Sequence, residues 1–324
     1  AIATPDNYKN TFFQLNNVTF ENNTAGNKGG ALRISGPQTA AHISDSTFGG
    51  NAAANSGGAL SIEASAGLQM FRIKGSNNHV TGAGDGGFLY SKLSNPILIS
   101  EATIVKSSTT KQGGGGAFAV FSSKIALEKV TVENCQAGKR GGGGLLLNDG
   151  AEVHVFDGIL NHNVATFGGS GGHVRVSGSS LIIHQNNIKM IWPASIPVFA
   201  NDYVLVTQYG TSMTQGTATG FGGTVSCISS VSNEVAIVST TKENGLLSCQ
   251  STLYNYDIKD ESKFICSSKG VYLGSGSTVQ LSTATKGGGA MSANLCSIEM
   301  SNTSIINSTS MNSNGGAILL GLES

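Results

Sequence analysis

A Gly-Gly doublet followed by a small or apolar residue returns along this chain every 28 or 29 residues. The doublets Gly29-Gly30, Gly57-Gly58, Gly86-Gly87, Gly115-Gly116, Gly143-Gly144 and Gly171-Gly172 place their second glycines 28, 29, 29, 28 and 28 residues apart. The signal comes back at Gly288-Gly289 and Gly315-Gly316, 27 apart. A fixed period of this size marks a repeat architecture, in which each unit cannot bury its own apolar face and must stack on the next. A 324-residue chain of this kind can be one continuous body instead of two globular domains.

One repeat shows what kind of unit is stacked. After Gly29-Gly30 comes Ala31-Leu32-Arg33-Ile34-Ser35, in which Leu32 and Ile34 alternate with polar neighbours as in a half-buried strand. Gly36-Pro37-Gln38-Thr39 then reads as a turn, and His42 to Phe48 as a second extended stretch. Phe20 and Asn23 stand ahead of the first doublet as Phe48 and Asn51 stand ahead of the second, each Asn seven residues before the second glycine. No segment carries sustained helical spacing of apolar residues with capping signals. The expectation is therefore all-β: a right-handed parallel β-helix of about ten coils, with phenylalanines inward, glycines at a close corner and asparagines bonding along the stack.

Later repeats keep the slots with other residues. Val132 and Cys135 replace Phe and Asn before the fifth doublet, and Ile306 and Thr309 are expected to do so before the last. Between Gly172 and Gly289, 117 residues pass without a clear Gly-Gly-Ala, which divides into four coils of about 29. Residues 1–180 are thus expected to form regular coils. Residues 181–280 would be irregular coils with longer loops, starting near Tyr203–Val206, Glu234–Val238 and Lys263–Cys266. Residues 281–324 would be regular coils continuing into a further segment or subunit. The Gly222-Gly223 doublet is out of phase and is assigned to a loop.

Composition narrows the partners. Nineteen basic residues balance nineteen acidic ones, so the basic footprint that nucleic-acid binding needs is missing and nucleic acid is not expected. No apolar run is long enough to span a bilayer as a helix. The chain opens Ala1-Ile2-Ala3 without an initiator Met, so a signal peptide is expected to have been removed or to lie outside this segment. Five cysteines show no C-x-x-C spacing and so no zinc signature; Cys266 and Cys296, 30 apart, are a candidate disulfide between neighbouring coils, and Cys135 is expected to be unpaired.

Phe20–Asn23 with Gly29-Gly30-Ala31-Leu32, Phe48–Asn51 with Gly57-Gly58-Ala59-Leu60, and Gly315-Gly316-Ala317-Ile318 resemble the repeats of chlamydial polymorphic membrane proteins. Similar repeats also occur in surface proteins of unicellular eukaryotes. The resemblance implies a passenger-type β-helix displayed at a cell surface for adhesion, with protein or glycan partners there. Both terminal coils lack a polar cap, which adds head-to-tail self-association into a filament as an expectation. Four N-x-S/T sequons, at Asn17, Asn22, Asn302 and Asn307, are about what this composition yields by chance. They are candidate glycosylation sites in a eukaryotic source, Asn17 and Asn307 foremost because Val18 and Ile306 beside them are expected to point inward.

No cofactor or metal is expected, and the chain is expected not to be an enzyme. The alternative is a carbohydrate-active enzyme or lectin, whose chemistry would need paired carboxylates on one face of adjacent coils. Its best cluster is Asp149, Glu152, His154, Asp157, His162, His173, Arg175 and His184. Convergence of Asp149, Glu152, Asp157 and His173 in one groove with aromatic walls would favour it; scatter over turns favours the rod. Gly82–Gly87 resembles a single calcium-binding glycine-rich unit, where calcium rolls need tandem copies.

Overall fold

In the computed structural model the described residues are 2–3, 12–37, 39–64, 67–94, 97–177, 179–184, 188–191, 203–205, 211–228, 241–243, 246–248, 255–257, 270–273, 276–294, 296–300 and 303–320. They form strands and turns with no helix, and the strands pile up in parallel as a β-solenoid. One coil illustrates the rest: Leu32–Ser35 lies in a first sheet, Ala40–Ser44 in a second, Thr47–Gly49 in a third, and Ala52–Ala53 in a short corner ladder. The first sheet holds ten strands and the second and third nine each, so the stack makes about eight full turns, slightly fewer than the ten coils expected. At the usual strand spacing that is a body about 38 Å long.

Register follows from the slots. Leu32, Leu60, Leu89, Phe118, Leu145, Val174, Val225, Met291 and Ile318 lie one above another and face inward. In the third sheet Phe20, Phe48, Gly75, Ile104, Val132, Leu160, Met213, Val279 and Ile305 do the same. Ile305 thus occupies the phenylalanine slot expected of Ile306, which is 44 % exposed. A one-residue slip on a strand turns a side chain to the opposite face.

The asparagine slot works as expected from its chemistry. Asn23 Nδ2 donates to Asn51 Oδ1 at 2.9 Å, and Asn51 Nδ2 donates to Asn78 Oδ1 at 3.0 Å and to the Phe20 carbonyl at 3.0 Å. Asn78 Nδ2 repeats the last bond to Phe48 O. This ladder satisfies amides that burial would otherwise leave costly, and it ties each coil to the next. Cys135 takes the slot without a thiolate role: it is buried, it is a free thiol, and desolvation pushes its pKa up to about 12.

The glycine doublets divide two tasks. Gly57 has φ 64°, a left-handed backbone that other residues rarely adopt. Gly58 is needed for space, because a Cβ there would fall inside the van der Waals shell of the Gly87 carbonyl oxygen of the next coil. By these criteria the fifth doublet is Gly142-Gly143, not Gly143-Gly144: Gly142 has φ 68°, Gly143 abuts Gly172 O, and Gly144 stands where other coils have Ala31 or Ala59. Gly222-Gly223 also belongs to the column, with φ 64° at Gly222 and Gly223 against Gly289 O.

The four coils expected between Gly172 and Gly289 are replaced by two, each carrying one insertion. The third-sheet strand Ile159–Asn161 pairs directly with Ser212–Thr214, and the second-sheet strand Ser180–His184 with Gly270–Leu273. Strands Ile188–Ile191 and Tyr203–Leu205 come from the first insertion, and Thr241–Glu243, Leu246–Ser248 and Asn255–Asp257 from the second. Together they form a separate antiparallel sheet. The strand starts expected at Glu234–Val238 and Lys263–Cys266 lie outside the described residues. Cys296 pairs with Cys227, not Cys266; the two Cα atoms are 5.9 Å apart and the bridge closes over the second insertion. Cys249 and Cys266 lie outside the described residues.

Gly75 leaves a hole in the phenylalanine column, and Phe88 fills it. Phe88 comes from the slot held by Ala31 and Ala59 in earlier coils, meets Phe48 edge-on at 5.8 Å and Phe118 at 5.9 Å, and lies where a Gly75 side chain would go. Phe88→Ala is expected to cost about 3–5 kcal/mol. Adding Gly75→Leu should return at least about a third of that loss, as read by urea denaturation. Equal midpoints for the single and double variants would contradict the exchange.

Candidate functional site

The eight-residue cluster read from the sequence does not converge. Glu152 and His154 alternate along a second-sheet strand, where Glu152 Oε1 contacts His154 Nε2 at 2.6 Å and Oε2 lies 3.4 Å from Lys124 Nζ. Burial raises the Glu152 pKa, but the His154 hydrogen bond and charge, with Lys124, outweigh it and hold the carboxyl below its usual range. Asp149, Asp157 and His162 stand on turns with left-handed φ of 56°, 49° and 49°. Arg175 is on the first sheet, where its Nη1 donates to Arg140 O at 2.7 Å. His184 lies on a second-sheet strand, beside Phe156 in register.

His173 faces the interior, fully buried, in the slot of Ala31. Its ring occupies the space beside Gly216, the glycine that replaces asparagine in the next coil. Nδ1 accepts from Asn163 Nδ2 at 2.9 Å, and Nε2–H donates to Thr214 O at 2.9 Å. Since a carbonyl can only accept, the neutral Nε2–H tautomer is fixed. His173 therefore carries the polar ladder across a coil that has no asparagine. Burial drives its pKa down to about 3, against a smaller opposing effect of the Thr214 carbonyl.

A different group of residues does converge. On the outer side of the first sheet a groove of about 420 Å³ is lined by Asn55, Ser56, Asp85, Tyr90, Lys92, Phe121, Arg140 and Asp149, with Ala83 and Gly84 at its edge. Tyr90 and Phe121 pack with Ala119 and Leu146 as a small apolar cluster separate from the core. Asp85 is nearly fully buried: its Oδ1 accepts from Gly114 N at 2.8 Å and its Oδ2 from Arg140 Nη1. Desolvation raises its pKa to about 6 despite the Arg140 charge. The Arg140 guanidinium also lies over the Phe121 ring at 5.6 Å. Both carboxylate oxygens of Asp85 in the Gly82–Gly87 segment thus hold hydrogen bonds within the fold.

Sequence reasoning reached Asp149 of this groove through the acid–base cluster and Asp85 through the Gly82–Gly87 unit, and joined neither to Arg140. Asp85 and Arg140 are 55 residues apart and two coils away from each other, so no local motif announces them. Of the sequon residues, Asn17, Asn22 and Asn307 are exposed on turns with φ 55°, 53° and 52°; Asn302 lies outside the described residues. Among the described residues no group of three or more His, Cys, Asp or Glu is placed to hold a metal ion, and no helix is long and apolar enough to cross a membrane. Compared with known proteins, the chain matches no family model, no curated protein and no solved structure.

The buried histidine has a measurable signature. Its pKa is about 3 folded against 6.5 when free, so the unfolded chain binds the extra proton first. Its contribution to stability is complete above pH 6.5 and falls as pH drops toward 3, by about 1.4 kcal/mol per unit. His173→Gln keeps an acceptor and a donor without titrating. Between pH 7.5 and pH 5 the wild type should lose about 2 kcal/mol more than this variant, measured by urea midpoints; identical losses would contradict a buried neutral ring.

Proposed function

We propose that this chain is an extracellular rod: a stiff β-solenoid that serves a structural or adhesive role, presenting its lateral surface to a protein or glycan partner at a cell surface. The observation that carries the reading is the Cys227–Cys296 bridge on a continuous parallel stack. Disulfides persist chiefly in oxidising, extracytoplasmic compartments, and stacked ladders of backbone and asparagine bonds give a spacer with little freedom to bend. Catalysis is not part of the proposal. The residues that sequence reasoning offered for acid–base work are spent on structure or spread over separate sheets and turns: His173 on the polar ladder, Glu152 on His154 and Lys124.

The same reading accommodates membership of the polymorphic-membrane-protein type of repeat and head-to-tail association. Among the described residues Ile2–Ala3 and Ile318–Leu320 are the outermost strands of the first sheet, the positions from which a parallel stack is extended by a further coil or a second copy. The test is labelling of intact source cells with a membrane-impermeant amine reagent, followed by thiol trapping of the recovered protein. The expected result is surface labelling together with an oxidised Cys227–Cys296 pair. A protein protected from the reagent until lysis, with both thiols free, would contradict the proposal.

A further inference from the structure

The groove on the first sheet holds more polar capacity than the fold uses. Arg140 carries five N–H donors, and among the described residues only Nη1 donates a hydrogen bond. The Lys92 ammonium, the Asp149 carboxylate and the Tyr90 hydroxyl line the same groove, and none makes a hydrogen bond or ion pair to another described residue. The Arg140 guanidinium is nonetheless held in place. Asp85 is buried and anchored to the Gly114 N–H, so it fixes one edge of the guanidinium. Arg175 pins the Arg140 carbonyl from the next coil, and Phe121 supports the guanidinium face. Donors held in place this way lose little entropy when a ligand arrives.

We infer that this groove binds a carboxylated saccharide, with Arg140 and Lys92 taking the carboxylate, Asp149 and the Tyr90 hydroxyl bonding ring hydroxyls, and Phe121 and Tyr90 giving an apolar edge. A planar guanidinium with free donors matches a carboxylate. A carboxylate acceptor and a phenol donor beside it match neighbouring hydroxyls, which both give and accept hydrogen bonds. Asp85 and Asp149 balance Arg140 and Lys92, so the groove would select by the placement of its donors and acceptors and not by net charge. The volume lies in the range of small-ligand sites. Three carboxylates, Glu63, Asp85 and Asp149, act on the Tyr90 phenol, and burial first and these charges after it raise its pKa to about 12, so it stays a donor. The inference rests on surface display, because its ligand would be met outside the cell.

The same chemistry has two sources, a hexuronate unit within a polysaccharide and a terminal sialic acid. The intact chain is titrated by calorimetry with a hexuronate disaccharide, with sialyllactose, and with lactose as the neutral control. At least one acid should bind saturably and lactose at least about tenfold more weakly; which acid binds identifies the source. Lys92→Gln and Tyr90→Phe remove groups with no protein partner, so each should weaken binding about tenfold while the melting temperature stays unchanged. Binding of neither acid, equal binding of lactose, or wild-type affinity in both variants would overturn the assignment. Surface labelling fails or succeeds independently: a negative titration on a labelled protein removes the saccharide, and a positive titration on an unlabelled one removes the display.

Discussion

At one corner of every coil the backbone of the next coil passes so close that no side chain fits. The second glycine of each doublet sits there, with the carbonyl oxygen of the following doublet in the place of its missing Cβ, from Gly30 against Gly58 through to Gly289 against Gly316. Gly316, with no described coil beyond it, has nothing nearer than Ser308 O at 3.9 Å. The approach fixes the register of the first sheet, because in every coil the inward column of that sheet begins two residues after this point, from Leu32 to Ile318. Once the columns align, the phenylalanine and asparagine slots bury their side chains against their own kind, and the core becomes a set of ladders.

The ladders tolerate exchange as long as volume and polarity are conserved locally. Phe88 enters from an alanine slot where Gly75 leaves a gap, and His173 enters from the same slot where Gly216 replaces asparagine. Thr224, again from that slot, contacts Ser282 in the asparagine column through their hydroxyls. In each case two adjacent columns share one task. The outer surface is under no such constraint, which is why the groove of Asp85, Tyr90, Lys92, Arg140 and Asp149 can assemble from four coils without disturbing the stack.

Much of this was legible from residue order. The period, the first-sheet inward positions, the Phe20–Phe48 stack and the Asn23–Asn51 bond follow from spacing and side-chain chemistry alone, whereas Asn78, which extends that ladder, was hidden because Gly75 stands in the phenylalanine slot before it. What spacing could not supply was phase. In the run Gly141–Gly144 three overlapping doublets are equally good on paper, and only backbone angles select Gly142-Gly143. Gly222-Gly223 looked out of phase because an insertion precedes it, and dividing 117 residues by the coil length assumed that no insertion existed. The Cys266–Cys296 pairing inherited that assumption, whereas Cys227 lies one true coil below Met291–Asn294. His173 looked chemical because a histidine beside glycines is conspicuous; its role depends on Gly216, 43 positions later.

The most direct test of the account is the close corner itself. Gly87→Ala places a methyl group against the Gly116 carbonyl oxygen and the backbone of Ser108, whereas Gly26→Ala places one in open space. Equilibrium urea denaturation of the two variants, followed by far-UV circular dichroism, separates a stacking requirement from a general loss of glycine flexibility. Gly87→Ala should lose at least about 2 kcal/mol or fail to fold, and Gly26→Ala should stay within about 0.5 kcal/mol of wild type. Equal stability of the two variants would contradict the claim that the solenoid depends on close contact between coils at the glycine corner.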